Sequence, residues 1–382
     1  MELYYEDPYL KEIEVEIKSY DDQFMEFDRT IIFPGGGGQP PDSGYILGKD
    51  FRARILFSKK DNNRILHRYE IIEGKIPEKG KLVLDWERRY NLMKMHTGQH
   101  ILYRSIENLY NVKFQKVIFN ENESSLFIMG DISIDDIVRA EESANDIIKR
   151  DLQVKIEYEN IENVDNTVRI RRDRIRDERV RIVEIDGYDR TACSGIHVKS
   201  TGEINIIFIK SIKKSDFTEI KFMVGNPAMN HILNNARIMR KISNNLKIDP
   251  NNIEKKLSEA LNEIEILKKS LYEISSKMFV FEKKESNGKT LYYSDFPYGD
   301  IKGIERCARR IADNENATVL YGSEIQKKIF ILTKDMENIE KVKKIKEEKG
   351  LKGGGNNNYY VFSLEDQVFR IVFNEILDKL IS

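Results

Sequence analysis

The side chains best suited to chemistry are few and grouped. Of five histidines in 382 residues, His96 and His100 stand together in Met95-His96-Thr97-Gly98-Gln99-His100. A third closes Cys193-Ser194-Gly195-Ile196-His197. On a helix, a separation of four places two side chains on one face with Cβ atoms about 5–6 Å apart, a span that one metal ion can bridge. The second motif adds a sulfur and another imidazole beside a flexible glycine. Nitrogen, nitrogen, sulfur and nitrogen make a tetrahedral set of the kind zinc takes, and a catalytic zinc keeps one position open to water or substrate. No glutamate follows His96, so the metalloprotease form of this spacing is excluded. Either motif alone is weak. Histidine pairs of this spacing decorate many helices, and a lone cysteine is usually a small hydrophobe. Their joint occurrence carries the zinc assignment. His67, in the strand-like Ile65-Leu66-His67-Arg68-Tyr69, and His231, just after Pro227, read as structural, and Cys307 reads as core.

These groups need a frame. Alternating segments such as Ile13–Ile17 and Arg52–Phe57 predict β structure over the first part of the chain. It is interrupted by the loop Phe33-Pro34-Gly35-Gly36-Gly37-Gly38-Gln39-Pro40-Pro41-Asp42-Ser43-Gly44, whose glycines allow close approach to another surface. From Asp85 the period turns helical, which puts His96 and His100 on a helix. A second helix is expected over Asp135–Lys149, and strands over Val154–Tyr158, Arg179–Ile185 and Glu203–Ile212. After Pro227 one helix runs to about Leu246. Asp249-Pro250 opens another, with Ile253, Leu257, Ala260, Ile264, Leu267, Leu271, Ile274, Met278 and Phe281 spaced as an a/d seam. That seam fits a coiled coil or an antiparallel hairpin equally well. Strands and amphipathic helices alternate again at the end (Ala317–Tyr321, Lys328–Leu332, Gly303–Ala312, Leu364–Leu380), with a glycine loop at Gly350–Gly355 leading into Asn356, Asn357 and Asn358.

Composition excludes several classes. No run of about 18 apolar residues exists, so no membrane helix is expected, and the acidic start MELYYEDPYL is not a signal peptide. Two cysteines, Cys193 and Cys307, exclude a disulfide scaffold and point to a reduced, cytoplasmic setting. With 63 Lys+Arg against 64 Asp+Glu, the chain is no general polyanion binder, so a nucleic acid would be met by local basic patches. One candidate is the cluster Arg169, Arg171, Arg172, Arg174, Arg176, Arg179 and Arg181. A solvated loop is an equal reading, since Asp173, Asp177 and Glu178 are interspersed. Lys210, Lys213 and Lys214 form a smaller candidate.

The motif pair resembles the zinc motifs of the alanyl-tRNA synthetase editing domain and its free-standing relatives, the AlaX proteins. Ser194 and Ile196 depart from the usual Cys-Gly-Gly-Thr-His while sparing both ligands. Thr30 to Gly44 is similar to that family's glycine-rich motif, and Val198-Lys199-Ser200-Thr201-Gly202-Glu203-Ile204 is also family-like. The resemblance covers residues 1–225 in motif order. A weaker likeness, on Gly350 to Gly355, is to the DHH-associated domain that follows in the synthetase and in long AlaX forms.

The resemblance implies an α+β protein in four parts. They are a glycine-rich β-barrel-like domain (1–85), a zinc editing domain (86–225), a helical or coiled-coil arm (226–285) and a small α/β domain (286–382). It also implies a trans-editing hydrolase that removes serine or glycine from mischarged alanine tRNA, since no aminoacylation domain is expected before the editing region and 382 residues leave no space for one. Zn2+ would be held by His96, His100, Cys193 and His197. Thr30 would read the serine hydroxyl, Gln115 would lie near the pocket, and Gly36, Gly37, Gly38 and Gln39 would meet the substrate. Arg172, Arg174, Lys213 and Lys214 are candidates for tRNA, and the arm or C-terminal domain for a homodimer. The chemical need is plain. A pocket sized for alanine cannot exclude glycine or strongly reject a side chain that merely adds a hydroxyl, whereas a second site that bonds the hydroxyl discriminates by up to about 10⁴–10⁵. Two alternatives stay open: editing of serine on threonine tRNA, and a zinc-stabilised RNA-binding module without catalysis.

Overall fold

Alternation of apolar and polar residues in the first part of the chain gives six strands: β1 (Glu12–Tyr20), β2 (Phe24–Phe27), β3 (Gly44–Gly48), β4 (Phe51–Asp61), β5 (Arg64–Glu73) and β6 (Lys79–Leu84), after a single helical turn α1 (Leu3–Glu6). In the computed structural model they close into an antiparallel barrel in the order β1-β2-β5-β4-β3-β6. Closure leaves no unpaired sheet edge. Ala53 and Ile55 of β4 point inward to Met25, Ile46 and Leu82, while Arg52 and Arg54 face water. The structure describes residues 2–62, 64–170, 172, 178–286, 288–296, 299–356, 358–364 and 369–382.

Asp85 caps the next helix by accepting from Arg88 N. This helix, α2 (Trp86–Leu109), is followed by β7 (Lys113–Ile118), β8 (Ser124–Met129), α3 (Ile134–Lys149), β9 (Val154–Asn160), β10 (Arg179–Ile185), β11 (Asp189–Ala192), β12 (Ile207–Lys214) and β13 (Thr218–Val224). A four-stranded sheet β12-β13-β8-β7 and a three-stranded sheet β11-β10-β9 result. Ile101, Leu102 and Ile106 of α2 meet Ile137, Ala140 and Ala144 of α3 and Ile128, Ile220 and Phe222 of the larger sheet in one core. Ser133 and Asp136 cap α3 reciprocally. The expected strand from Glu203 begins only at Ile207. Residues Thr201–Ile204 instead form a 3-10 turn, because the Glu203 carboxylate folds back to accept from Lys199 N and Ser200 N.

One buried pair ties the barrel to α2. Arg89 is fully buried, and its guanidinium meets the Asp42 carboxylate and also donates to the carbonyls of Pro8 (2.9 Å) and Ile31 (2.5 Å). The same Asp42 oxygen accepts from Phe33 N at 2.8 Å.

Helix α4 (Gly225–Leu246) follows β13, and Asp249 caps the 3-10 turn that opens α5 (Ile253–Met278). Contacts divide the chain into two units, Met1–Lys241 and Ile242–Ser382. In the second unit α5 packs on α6 (Ile301–Glu315) where Ser275 approaches Gly303. Along the a/d seam, Leu257, Ile264, Leu267, Leu271, Ile274 and Met278 are exposed. Phe281 leaves the seam, since α5 ends at Met278 and Phe281 packs in the C-terminal core.

That core surrounds a six-stranded mixed sheet of order β14-β15-β16-β17-β19-β18. Its strands are β14 (Glu282–Ser286), β15 (Lys289–Asp295), β16 (Thr318–Ser323), β17 (Lys328–Leu332), β18 (Lys352–Asn356) and β19 (Tyr359–Ser363). Alternation splits the sheet's faces. Val319, Tyr321 and Phe330 meet Ile304, Cys307 and Ala308 of α6, while Leu320, Ile329 and Ile331 meet helices α7 (Met336–Lys349) and α8 (Phe369–Ile381). The expected glycine loop is in fact the edge strand β18. Tyr359–Ser363 supplies its backbone partners, and a Cβ at Gly353 or Gly355 would strike that neighbouring backbone. Among the described residues no helix is long and apolar enough to cross a membrane.

Candidate metal centre and its cavity

Helix α2 presents His96 and His100 on its buried face, and the loop from β11 to β12 brings Cys193 and His197 against them. The potential donor atoms of the four residues all lie within 4.8 Å of one another. Cys193 Sγ is 3.3 Å from His96 Nε2, and the ring centroids of His96 and His197 are 4.4 Å apart.

Two of the imidazoles are hydrogen-bonded from behind at Nδ1, and the third, His100, faces a carboxylate there without a hydrogen bond. His96 Nδ1 lies 3.0 Å from Gln39 Oε1, and His100 Nδ1 lies 3.5 Å from Asp189 Oδ2. His197 Nδ1 lies 3.1 Å from Thr97 Oγ1. The Thr97 hydroxyl donates to Met93 O at 3.0 Å, so its oxygen accepts from His197 Nδ1–H. This pattern turns Nε2 of each ring toward the centre, the arrangement in which a ligating histidine is oriented by a partner on its other nitrogen. His197 Nε2 is buried with no hydrogen-bond partner among the described residues. A cation there would satisfy it.

The electrostatics favour the ligand form at Cys193, His96 and His197. Burial opposes ionisation of Cys193, yet His96, His100 and His197 outweigh it and hold the thiol well below its ordinary range. Burial depresses His96 and, with the neighbouring His96 charge, takes His197 down to about 3. For His100 burial is overcome by Asp189 and Cys193, which raise it to about 9, so that a metal bound there would displace its proton. A thiolate with imidazoles is the donor chemistry of zinc.

The cysteine loop is itself braced. Arg181 Nη1 donates to the carbonyls of Cys193 and Gly195, each at 2.8 Å, and Tyr5 OH donates to Ser194 O at 2.8 Å. A Cβ at Gly195 would lie 2.0 Å from His96 Cε1, so only glycine lets this strand of backbone cross the ring.

The centre opens on a cavity of about 640 Å³, a size that accommodates a small ligand. His96, His100 and Cys193 form part of its wall, with Gly37, Gly38 and Gln115 among the other lining residues. Gln115 occupies a β-bulge between Phe114 and Lys116, where the pairing of β7 with β8 slips, a feature that re-aims side chains.

Other sequence candidates lie elsewhere or act differently. Thr30 is buried and does not line this cavity. Its hydroxyl faces His67 Nε2 at 2.9 Å and accepts from Ile32 N at 3.0 Å. Gly36 and Gly37 cover Ser194 and Cys193. Gln39 is turned inward to His96. Arg172 donates to the carbonyls of Ile161 and Val164 at 3.1 and 3.0 Å. Arg171, Asp173, Arg174, Arg176, Asp177 and Asn357 lie outside the described residues. Lys213 and Lys214 are exposed at the end of β12, away from the cavity wall. Lys210 pairs with Glu123. Arg169 is absorbed by Asp189, Thr191 and Glu107 at the cavity wall. Sequence reasoning missed Thr97 and Asp189 as orienting groups and Tyr5 and Arg181 as braces. Only Thr97, inside its motif, carried a local signal.

Comparison with known proteins bears on this centre. The profile of the threonyl and alanyl tRNA synthetase second additional domain matches residues 180–216, which hold Cys193 and His197. The alanyl-tRNA editing protein AlaX-L of Pyrococcus horikoshii is 33% identical over 99% of this chain and 98% of its own length. The chain belongs to the AlaX family of alanyl-tRNA editing proteins. Alanine–tRNA ligases are also similar. That of Ignicoccus hospitalis is 25% identical over 99% of the chain, and that of Korarchaeum cryptofilum 30% identical over 70%. The AlaX chain spans 42% and 31% of those two ligases.

Proposed function

We propose that this AlaX-family deacylase hydrolyses the ester linking serine or glycine to alanine tRNA, with zinc as its cofactor. The observation that carries the reading is the buried His96–His100–Cys193–His197 cluster opening on a cavity in a chain of the alanyl-tRNA editing family. When bound, zinc supplies Lewis acidity toward an ester carbonyl or a water molecule. The protein's part is positional. Gln39, Thr97 and Asp189 aim the imidazoles, Arg181 and Tyr5 hold the cysteine loop, and Gly37 and Gly38 let the glycine loop roof the cavity.

Gln115, at the bulge in the wall, is the proposed contact for the serine hydroxyl. Thr30 would join it only by exchanging its bond to His67. Arg172, Lys213 and Lys214, all exposed, together with Arg174, are proposed to meet tRNA phosphates, whose contacts position without specifying.

Deacylation of Ser-, Gly- and Ala-tRNA(Ala), with and without chelator, tests this reading. Serine or glycine should be released while alanine stays. Chelation or Cys193→Ala should cost on the order of 100-fold or more, beyond what loss of an outer-shell partner costs. An intact ester in every arm would leave a zinc-containing RNA-binding module. Faster release from Ser-tRNA(Thr) would move the substrate to the threonine system.

A further inference from the structure

We infer that Gln39 is a positioning residue of the metal centre, through which the barrel's glycine loop sets the orientation of His96. The inference rests on the zinc reading above and goes beyond its ligand set.

Gln39 is 3% exposed, and its Oε1 lies 3.0 Å from both His96 Nδ1 and Ile196 N. A backbone N–H can only donate, so the amide atom facing Ile196 is the oxygen. The same oxygen then accepts from His96, which must carry its proton on Nδ1. His96 Nε2 is left with its lone pair toward Cys193 Sγ. One amide oxygen thus joins both halves of the ligand set, the helix that carries His96 and the residue just before His197.

The loop is built to deliver that oxygen. Gly36 and Gln39 exchange backbone hydrogen bonds of 3.1 and 3.0 Å across a two-residue turn. Gly37 and Gly38 adopt φ of +60° and +83° there, as a mirror-image turn demands. A Cβ at Gly37 would lie 3.1 Å from Gly195 N and 3.2 Å from His96 Cε1. The turn therefore sits directly on the centre. Gln39 Nε2, in contrast, is buried with no hydrogen-bond partner among the described residues. Burying an unmade donor costs about 1–3 kcal/mol, so packing alone does not explain an amide here. The oxygen does.

Zinc retention tests this without reference to activity. The full-length zinc protein is challenged with a competing chelator, and the cobalt-substituted protein is followed by its thiolate-to-metal and d–d absorption. Gln39→Leu should weaken zinc affinity about 10–100-fold, as loss of an orienting partner does, and should alter the cobalt bands. Gln39→Glu keeps an acceptor for both N–H groups and should restore retention and spectrum toward the parent. Gln39→Met, closer in shape, should repeat the loss seen with leucine and serves if the leucine variant does not fold, as judged by circular dichroism. If the parent holds zinc and both apolar variants hold it equally well with unchanged spectra, this inference is overturned alone. If the parent binds no zinc, the zinc reading falls with it.

Discussion

An amide, a hydroxyl and a carboxylate stand behind the three histidines of the centre, each at a different Nδ1. The fourth buried imidazole, His67, is built by the same logic for a different end. Its Nδ1 faces Met25 O at 3.1 Å and its Nε2 takes the Thr30 hydroxyl. The ring is therefore neutral, and burial lowers its pKa from 6.5 to about 4. A depressed folded-state value means that the unfolded chain binds the extra proton first. Stability from this group is thus present above about pH 6.5 and is lost as pH falls toward 4. The loss should be on the order of 3 kcal/mol. Urea midpoints measured across that range should drop for the parent and drop less for His67→Gln. Parallel slopes would refute the assignment. At this scale the candidate ligand types and spacings were legible in the sequence, because two residues four apart on a helix are neighbours whatever the rest of the chain does. The polar partner behind each ring was not legible, because only packing brings Gln39 or Asp189 to it.

At the scale of elements, the buried Arg89–Asp42 pair links the barrel to α2 alongside the apolar contact of Tyr4, Phe33 and Ile65 with the core around that helix. Both side chains of the pair are almost completely buried. Removing one partner from such a pair leaves an uncompensated buried charge, at a cost of roughly 3–5 kcal/mol. Asp42→Ala should be destabilised by that amount in urea unfolding, and a loss under about 1 kcal/mol would show that the pair is not the tie described here. The double replacement Asp42→Leu with Arg89→Met should recover much of the loss. Helix α2 was readable from its periodicity, even though its inward face carries Arg89, His96, Thr97 and Gln99 among the apolar residues. Backbone closure is what the periodicity left out. A turn at Gly36–Gln39, a bulge at Gln115 and an edge strand of glycines at Lys352–Asn356 all depend on which backbone lies opposite.

For the whole molecule, the exposed seam of α5 motivates an expectation of self-association. Leucine and isoleucine at heptad positions bury themselves against a second helix when one is within reach. Sedimentation velocity at micromolar concentration should show a dimer, and Ile264→Lys with Leu271→Lys should return it to monomer. A parent that sediments as a monomer throughout excludes this route. The balance of charges also bears on tRNA. With a net charge of -1, affinity for RNA depends on local placement of cations, and the exposed candidates are few once Arg169 and Lys210 are spent on internal carboxylates.

By itself the sequence determined what could be ligated and by which atoms. Two histidines one helical turn apart and a cysteine and histidine across a glycine are local facts that carry their chemistry with them. It also determined an α+β chain with a β start and long helices after Pro227, since period two and period 3.6 are properties of neighbouring residues. The tertiary structure decided the rest: that the barrel closes, that its glycine turn roofs the centre, that Thr30 is spent on His67, and that Gln39 faces His96. Those depend on groups 37 to 157 positions apart in the chain. Hydrogen-bond geometry between such groups is set by packing and leaves no periodic trace.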